Sequence, residues 1–245
     1  MPEVPPVMST VCDTISPLRI AYRLVRNTLA HPYRSVPKGY DEEMPSTTPS
    51  PPGRPRAFDI DEALDRAVLV FWSKGFEGAS LDDLTEAMGI SRPSLYRAFG
   101  NKEDLFYKAL ERYTEGLTAY FAQALAEPTS RAVATAVLRG TVEAATMPGF
   151  PTGCLGVQGA LAAGDESRPV RDALIAWREE GIAHLTRRFQ QAVDAGDLPP
   201  STDPHLLALY LRTVANGIAV QAASGSSRTE LLQVANLALG SWPKL

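Results

Sequence analysis

From Asp59 to the C-terminus the apolar positions recur at helical rather than strand spacing. Ile60, Leu64, Ala67/Val68 and Phe71 trace one face and predict a first helix that ends near Gly75. Ser80, paired with Asp83 as in a capping box, opens a short second helix that stops at Gly89. Ser91 caps a third, with Pro93 in the first turn, where a missing N–H is harmless, and Gly100 stops it. Asn101 caps a long fourth helix running toward Ala126, with Pro128 beyond it. The remainder predicts helices over Ala132–Ala145 and Gly153–Ala163, then a stripe Val170, Leu174, Trp177, Gly181, Leu185, Phe189, Val193. Asp203 and Pro204 open the next, to about Ala223, and Ser227 with Glu230 boxes the last, to about Gly240. The expected class is all-α, and no internal repeat is visible.

Residues 1–52 break this pattern. Proline is dense there, which excludes a long helix, and Met44–Gly53 reads as a flexible tail. Met44 opens that tail and is a candidate start, which would leave 1–43 untranslated. The expected division is an extension over 1–52, a first domain over 53–105 and a second over 106–245.

Composition narrows the function classes. At 44% hydrophobic the chain can bury a sizeable core. It lacks a secretory signal pattern, and no uninterrupted apolar run reaches the ~18 residues of a membrane span. The expected compartment is therefore the cytoplasm, with no membrane partner. Cys12 and Cys154 are too few for a disulfide scaffold. His31, His184 and His205 have no ligand spacing, so no metal and no cofactor are expected. No nucleophile elbow, zinc-protease pair or phosphate loop suggests an enzyme. Gly153, Gly156 and Gly159 recur every three residues, but no strand precedes them, so close helix packing is the better reading.

The net charge of −4 hides a local exception. Between Glu86 and Glu103 there is no acid, while Arg92, Arg97 and Lys102 are all basic. Met88–Gly89–Ile90–Ser91 is a tight turn between two short helices, with Leu84 and Ala87 placed to pack on Leu95. This spacing reads as a helix-turn-helix, a motif whose second helix is expected in the major groove of double-stranded DNA. Arg92 can fork onto a guanine, Pro93 can meet a thymine methyl, and Ser94, Tyr96 and Arg97 share the outward surface. Leu95 and Phe99 belong to the core. Arg54 and Arg56, in the Pro-Gly-rich arm, are candidates for the minor groove.

Ser80–Leu105 resembles the DNA-binding domain of the TetR/AcrR family of bacterial transcriptional regulators. The similarity covers roughly Phe58–Leu110 and includes Phe71–Trp72…Gly75–Phe76, Leu95–Tyr96, Phe99 and Lys102–Glu103–Asp104–Leu105. Ala98 departs from the bulkier residue common at its position. The resemblance implies that Ser80 and Lys102 grip phosphates. It also implies a three-helix DNA-binding head on a six-helix domain that binds a small-molecule effector and dimerises. Repression relieved by the effector is the expected function; activation by the same fold, or a binding protein or enzyme with an incidental helix-turn-helix, are the alternatives. Two recognition helices on a palindrome require a homodimer, expected through 204–223 and 229–239, with Ala208, Ala215, Gly217, Ala219 and Ala222 allowing close approach. Candidate effector contacts are Tyr113, Phe121, Phe150, Cys154, Trp177 and Leu185. Cys154, at a helix start, is a conceivable electrophile sensor, with a small buried hydrophobe as the plainer role.

Overall fold

The computed structural model describes residues 58–161 and 167–243. Arg54, Arg56, Cys12, Met44 and the whole 1–52 extension lie outside the described residues. Among those described every regular element is a helix. In order the helices are α1 (Ile60–Gly78), α2 (Leu81–Met88), α3 (Arg92–Phe99), α4 (Lys102–Gly116), α5 (Tyr120–Leu125), α6 (Ser130–Ala145), α7 (Leu155–Leu161), α8 (Arg168–Asp194), α9 (Pro204–Ala223) and α10 (Arg228–Gly240).

Local chemistry sets most boundaries. Side-chain oxygens of Asp59, Ser80, Ser91, Asn101, Thr129, Asp203 and Ser227 each accept a backbone N–H at a helix start. Ser80–Asp83, Asn101–Asp104 and Ser227–Glu230 are reciprocal capping boxes. Gly75, at φ 70°, interrupts α1 and turns Phe76 back into the core, where it meets Phe106 at 5.4 Å.

The expected single helix from Asn101 toward Ala126 is instead two, α4 and α5. Gly116, a weak helix former, ends α4. Just there the Thr114 and Thr118 hydroxyls donate to the carbonyls of Leu110 and Thr114, and the Phe121 N–H bonds Thr118 three residues back. Hydroxyls on the helix ladder bend it, and the shorter bond tightens the turn.

Two apolar cores result. The first joins α1–α4 to Leu155, Val170 and Leu174 of α7 and α8. The head core therefore runs past Leu105 into the second half of the chain. The second core lies among α6, the C-terminal half of α8, α9 and α10, closed by Trp242 against Phe189. By length and composition α9 would suit a membrane, but its apolar length fills this core: Leu207, Leu211, Ala215, Ile218 and Ala222 are all buried. Ala208, Ala215, Ala219 and Ala222, expected to close a dimer, pack inside the protomer instead. Outward stand Leu206, Leu209, Tyr210 and Val220 of α9, with Val234 and Leu237 of α10.

Candidate nucleic-acid interface and inner cavity

The α2–α3 turn is fixed by Gly89 in the left-handed conformation, at φ 67°. The Gly89 and Ile90 N–H groups bond the last carbonyls of α2. A Cβ at Gly89 would be strained and would also crowd Arg66 at 3.3 Å. Leu84 and Leu95 meet fully buried, Ala87 and Ile90 are half-buried, and Ala98 packs against the same core. Lys108 of α4 donates to the Phe99 carbonyl at 3.0 Å and anchors the far end of α3. Sequence reading missed that role, although a cation near a helix C-terminus is a recognisable signal.

One face of α3 is left to solvent. Pro93 and Arg97 are exposed, and Tyr96 is 50% exposed. The Ser94 hydroxyl lies 3.0 Å from that of Ser91 and is half-buried. Arg92 donates from Nη2 at 2.7 Å and from Nε at 3.2 Å to one carboxylate oxygen of Asp82. It must leave Asp82 to reach a base, but both groups are exposed, and such pairs are worth only ~0–1 kcal/mol. Ser80 and Lys102 each have a partner within the head. The Ser80 hydroxyl donates to Asp83 at 2.7 Å. Asp83 also receives Lys74 at 2.6 Å, and these bonds, Lys74 first, hold its pKa at about 2. Lys102 lies over the Phe76 ring at 4.5 Å, where burial lowers its pKa against the opposing charge of Glu77.

Between the two cores lies a cavity of about 1040 Å³, walled by α4–α9. Tyr113, Phe121, Cys154 and Trp177 line it. Phe150 and Leu185 do not. Phe150 packs into the head core, 6.1 Å from Trp72. Leu185 is fully buried in the body core. The α8 stripe explains this: each four-residue step turns it by about 40°, so it winds from the cavity at Trp177 into the core at Leu185. Ala219 also faces the cavity.

The Tyr113 hydroxyl donates to the Cys154 sulfur at 3.4 Å, and burial, with the adjacent thiol, pushes the phenol pKa up. Trp177 Nε1 donates to Thr114 at 3.0 Å. A Cβ on Gly156 would collide with the Trp177 ring, so this glycine is there for close packing. Sequence reading missed Tyr120, Thr141 and Arg212. The last left a signal: it is the one cation between Leu206 and Ala223.

The cavity and the head share a wall. Tyr113 meets Trp72 of α1 edge-on at 5.2 Å. Its neighbour Arg112 donates to buried Asp65 of α1 at 2.8 Å. Consecutive residues of α4 thus grip the head and face the cavity. Among the described residues no group of three or more His, Cys, Asp or Glu is placed to hold a metal.

Comparison with known proteins agrees with this geometry. Residues 63–109 match the family described as bacterial regulatory proteins, tetR family, and residues 131–236 match the tetracyclin repressor-like C-terminal domain. The chain is 34% identical over 195 residues to the HTH-type transcriptional repressor ComR of Escherichia coli, spanning 79% of this chain and 93% of ComR. It is 29% identical over 191 residues to the repressor BdcR of the same organism, covering 76% and 90%. Among solved structures, a cysteine mutant of the TetR family transcriptional regulator CifR, complexed with 26bp operator DNA, superposes with a TM-score of 0.75. It is 47% identical and covers 78% of this chain and all of that one. With a helix-turn-helix, a matching C-terminal domain and full-length relatives, the chain belongs to the TetR family of bacterial regulatory proteins.

Proposed function

We propose that the protein is a ligand-responsive transcriptional repressor acting in the cytoplasm by binding rather than by turnover. A homodimer holds a palindromic operator, and a small molecule in the cavity releases it. The observation that carries this reading is the shared wall between cavity and head, with Tyr113 touching both Cys154 and Trp72. A ligand that moves Tyr113 also moves α1, and with it the spacing of the two recognition helices. It shifts the population toward the released state only by the difference in its affinity for the two arrangements. Base contacts are assigned to Arg92, Pro93, Ser94, Tyr96 and Arg97. Arg54 and Arg56 remain assigned to the minor groove. Ser80 and Lys102 are assigned to phosphate, Ser80 by exchanging its bond to Asp83. The dimer surface is assigned to the outward apolar face of α9 and α10, where Leu206 and Leu237 are 62% and 77% exposed. The named relatives ComR and BdcR are repressors, and the CifR structure contains operator DNA.

The test is selection of bound fragments from a bacterial genomic library with the purified protein at fixed salt. Enrichment of one palindromic sequence, bound by a dimer, is expected. Retention of all fragments alike would leave only electrostatic adhesion and defeat the proposal.

A further inference from the structure

Arg212 projects from the middle of α9 into the cavity wall, and its residue is only 8% exposed. A guanidinium keeps its charge at any working pH, so burial does not neutralise it. Yet its Nε has no hydrogen-bond partner, and no acid of the described residues forms an ion pair with it. What it has are two ring faces, Phe121 at 5.6 Å and Trp177 at 5.9 Å, both on the cavity wall. A second cation stands nearby: Arg178 has its pKa lowered by burial and by the charge of Arg212, while it donates to the Gly156 carbonyl at 3.1 Å. Among the described residues Arg212 therefore has no acid to pair with and lies beside aromatic surface. Buried charges are normally paired, so the missing partner is the feature to explain.

We infer that the ligand of this cavity is an apolar molecule bearing a single carboxylate, which pairs with Arg212 while its body lies against Phe121 and Trp177. A carboxylate matches the planar fork of a guanidinium. The acids on the cavity lining oppose a more highly charged anion. Glu111, Glu115 and Glu180 are exposed, toward the solvent side, and Glu180 lies 3.6 Å from His184. A dianion would be repelled by them on entry, whereas an apolar monoanion carries one charge past them and leaves it at Arg212.

This inference rests on the reading of the cavity as the effector site, and the experiment separates the two. The full chain is titrated calorimetrically with 4-phenylbutyrate and octanoate, and with the matched alcohols 4-phenylbutan-1-ol and octan-1-ol. The acids are expected to bind about tenfold or more tightly than their alcohols, the size of a charge-assisted pair. Arg212→Met, which keeps the apolar stem, should abolish that preference while leaving alcohol affinity unchanged. Its unliganded melting temperature should not fall, because an unpaired buried charge has been removed. Arg212→Lys serves as the second variant and should keep part of the preference. Equal binding of acids and alcohols, or an acid preference that survives Arg212→Met, overturns the carboxylate inference and leaves the effector site standing. Failure of all four probes to bind overturns both.

Discussion

On the recognition surface, polar side chains meet partners close along the chain: Ser80 with Asp83, Ser91 with Ser94, Asn101 with Asp104, Arg92 with Asp82. In the cavity the partners are distant: Tyr120 with Thr141, Tyr113 with Cys154, Trp177 with Thr114. The surface is exposed and its pairs are exchangeable, as an interface that must trade them for DNA requires. The cavity lies between helices remote in the chain, and its pairs tie those helices together. A change at the surface should therefore alter binding and little else, whereas a change between buried elements should alter stability first.

The buried pair joining α1 to α4 tests that contrast at its largest. Asp65→Ala leaves Arg112 buried, with Asp61 at 3.6 Å as a remaining acid. Stability to denaturant is expected to fall by about 3 kcal/mol. A loss below 1 kcal/mol, the size of an exposed pair, would erase the distinction.

The outward face of the body should resemble the recognition surface in one respect, that charge placed there changes association rather than folding. Leu237→Glu sets two like carboxylates against each other across the proposed dimer axis, each stripped of water, at a cost of several kcal/mol. Sizing by light scattering should give a monomer with unaltered helicity, and operator binding should collapse. A dimer that persists would move the interface elsewhere.

Tyr96→Ala sharpens the surface side. Half-exposed and outside the core, Tyr96 is expected to cost about 1–3 kcal/mol of operator binding with an unchanged melting temperature. A lowered melting temperature would make it a packing residue. Asp82→Ala should act more weakly and in the opposite direction. Freed of its carboxylate, Arg92 reaches DNA at no exchange cost, and affinity should rise by no more than the ~1 kcal/mol such pairs are worth. Weaker binding would show instead that Asp82 orients Arg92.

The smallest effect is a titration. Asp83 has a folded pKa of about 2, below its ordinary 3.8. A depressed carboxyl contributes stability above its unfolded value and loses it as pH falls through the folded one. The contribution of Asp83 should thus be intact above pH 3.8 and gone near pH 2. NMR titration should place the midpoint near 2 and, in Ser80→Ala, closer to the ordinary value. An unmoved midpoint in that variant would remove Ser80 as a cause.

The local devices were legible because they are written within a few residues. Caps, the Gly89 turn, Pro93 in the first turn and the burial of Leu95 beside outward Tyr96 all follow from spacing. The break between α4 and α5 was half-legible: Gly116 and two threonines were visible, but apolar periodicity ran straight through them. Of the aromatic candidates, Tyr113, Phe121 and Trp177 line the cavity, whereas Phe150 packs into the head core. An aromatic ring suits a core and a cavity wall equally, and only its neighbours decide between them.

The sequence by itself determined the helical class, the head and the face of α3 that meets solvent, because short-range hydrogen bonds and periodicity suffice for these. Tertiary structure alone decided where α8 turns Trp177 toward empty space and Leu185 into packed core. It also decided that the alanines of α9 close the protomer while Leu206 and Leu209 face out, and that Arg212 ends beside two rings rather than an acid. Those outcomes depend on contacts between helices remote in the chain. Their energies come from burial, which is a property of the assembled interior and not of any segment within it.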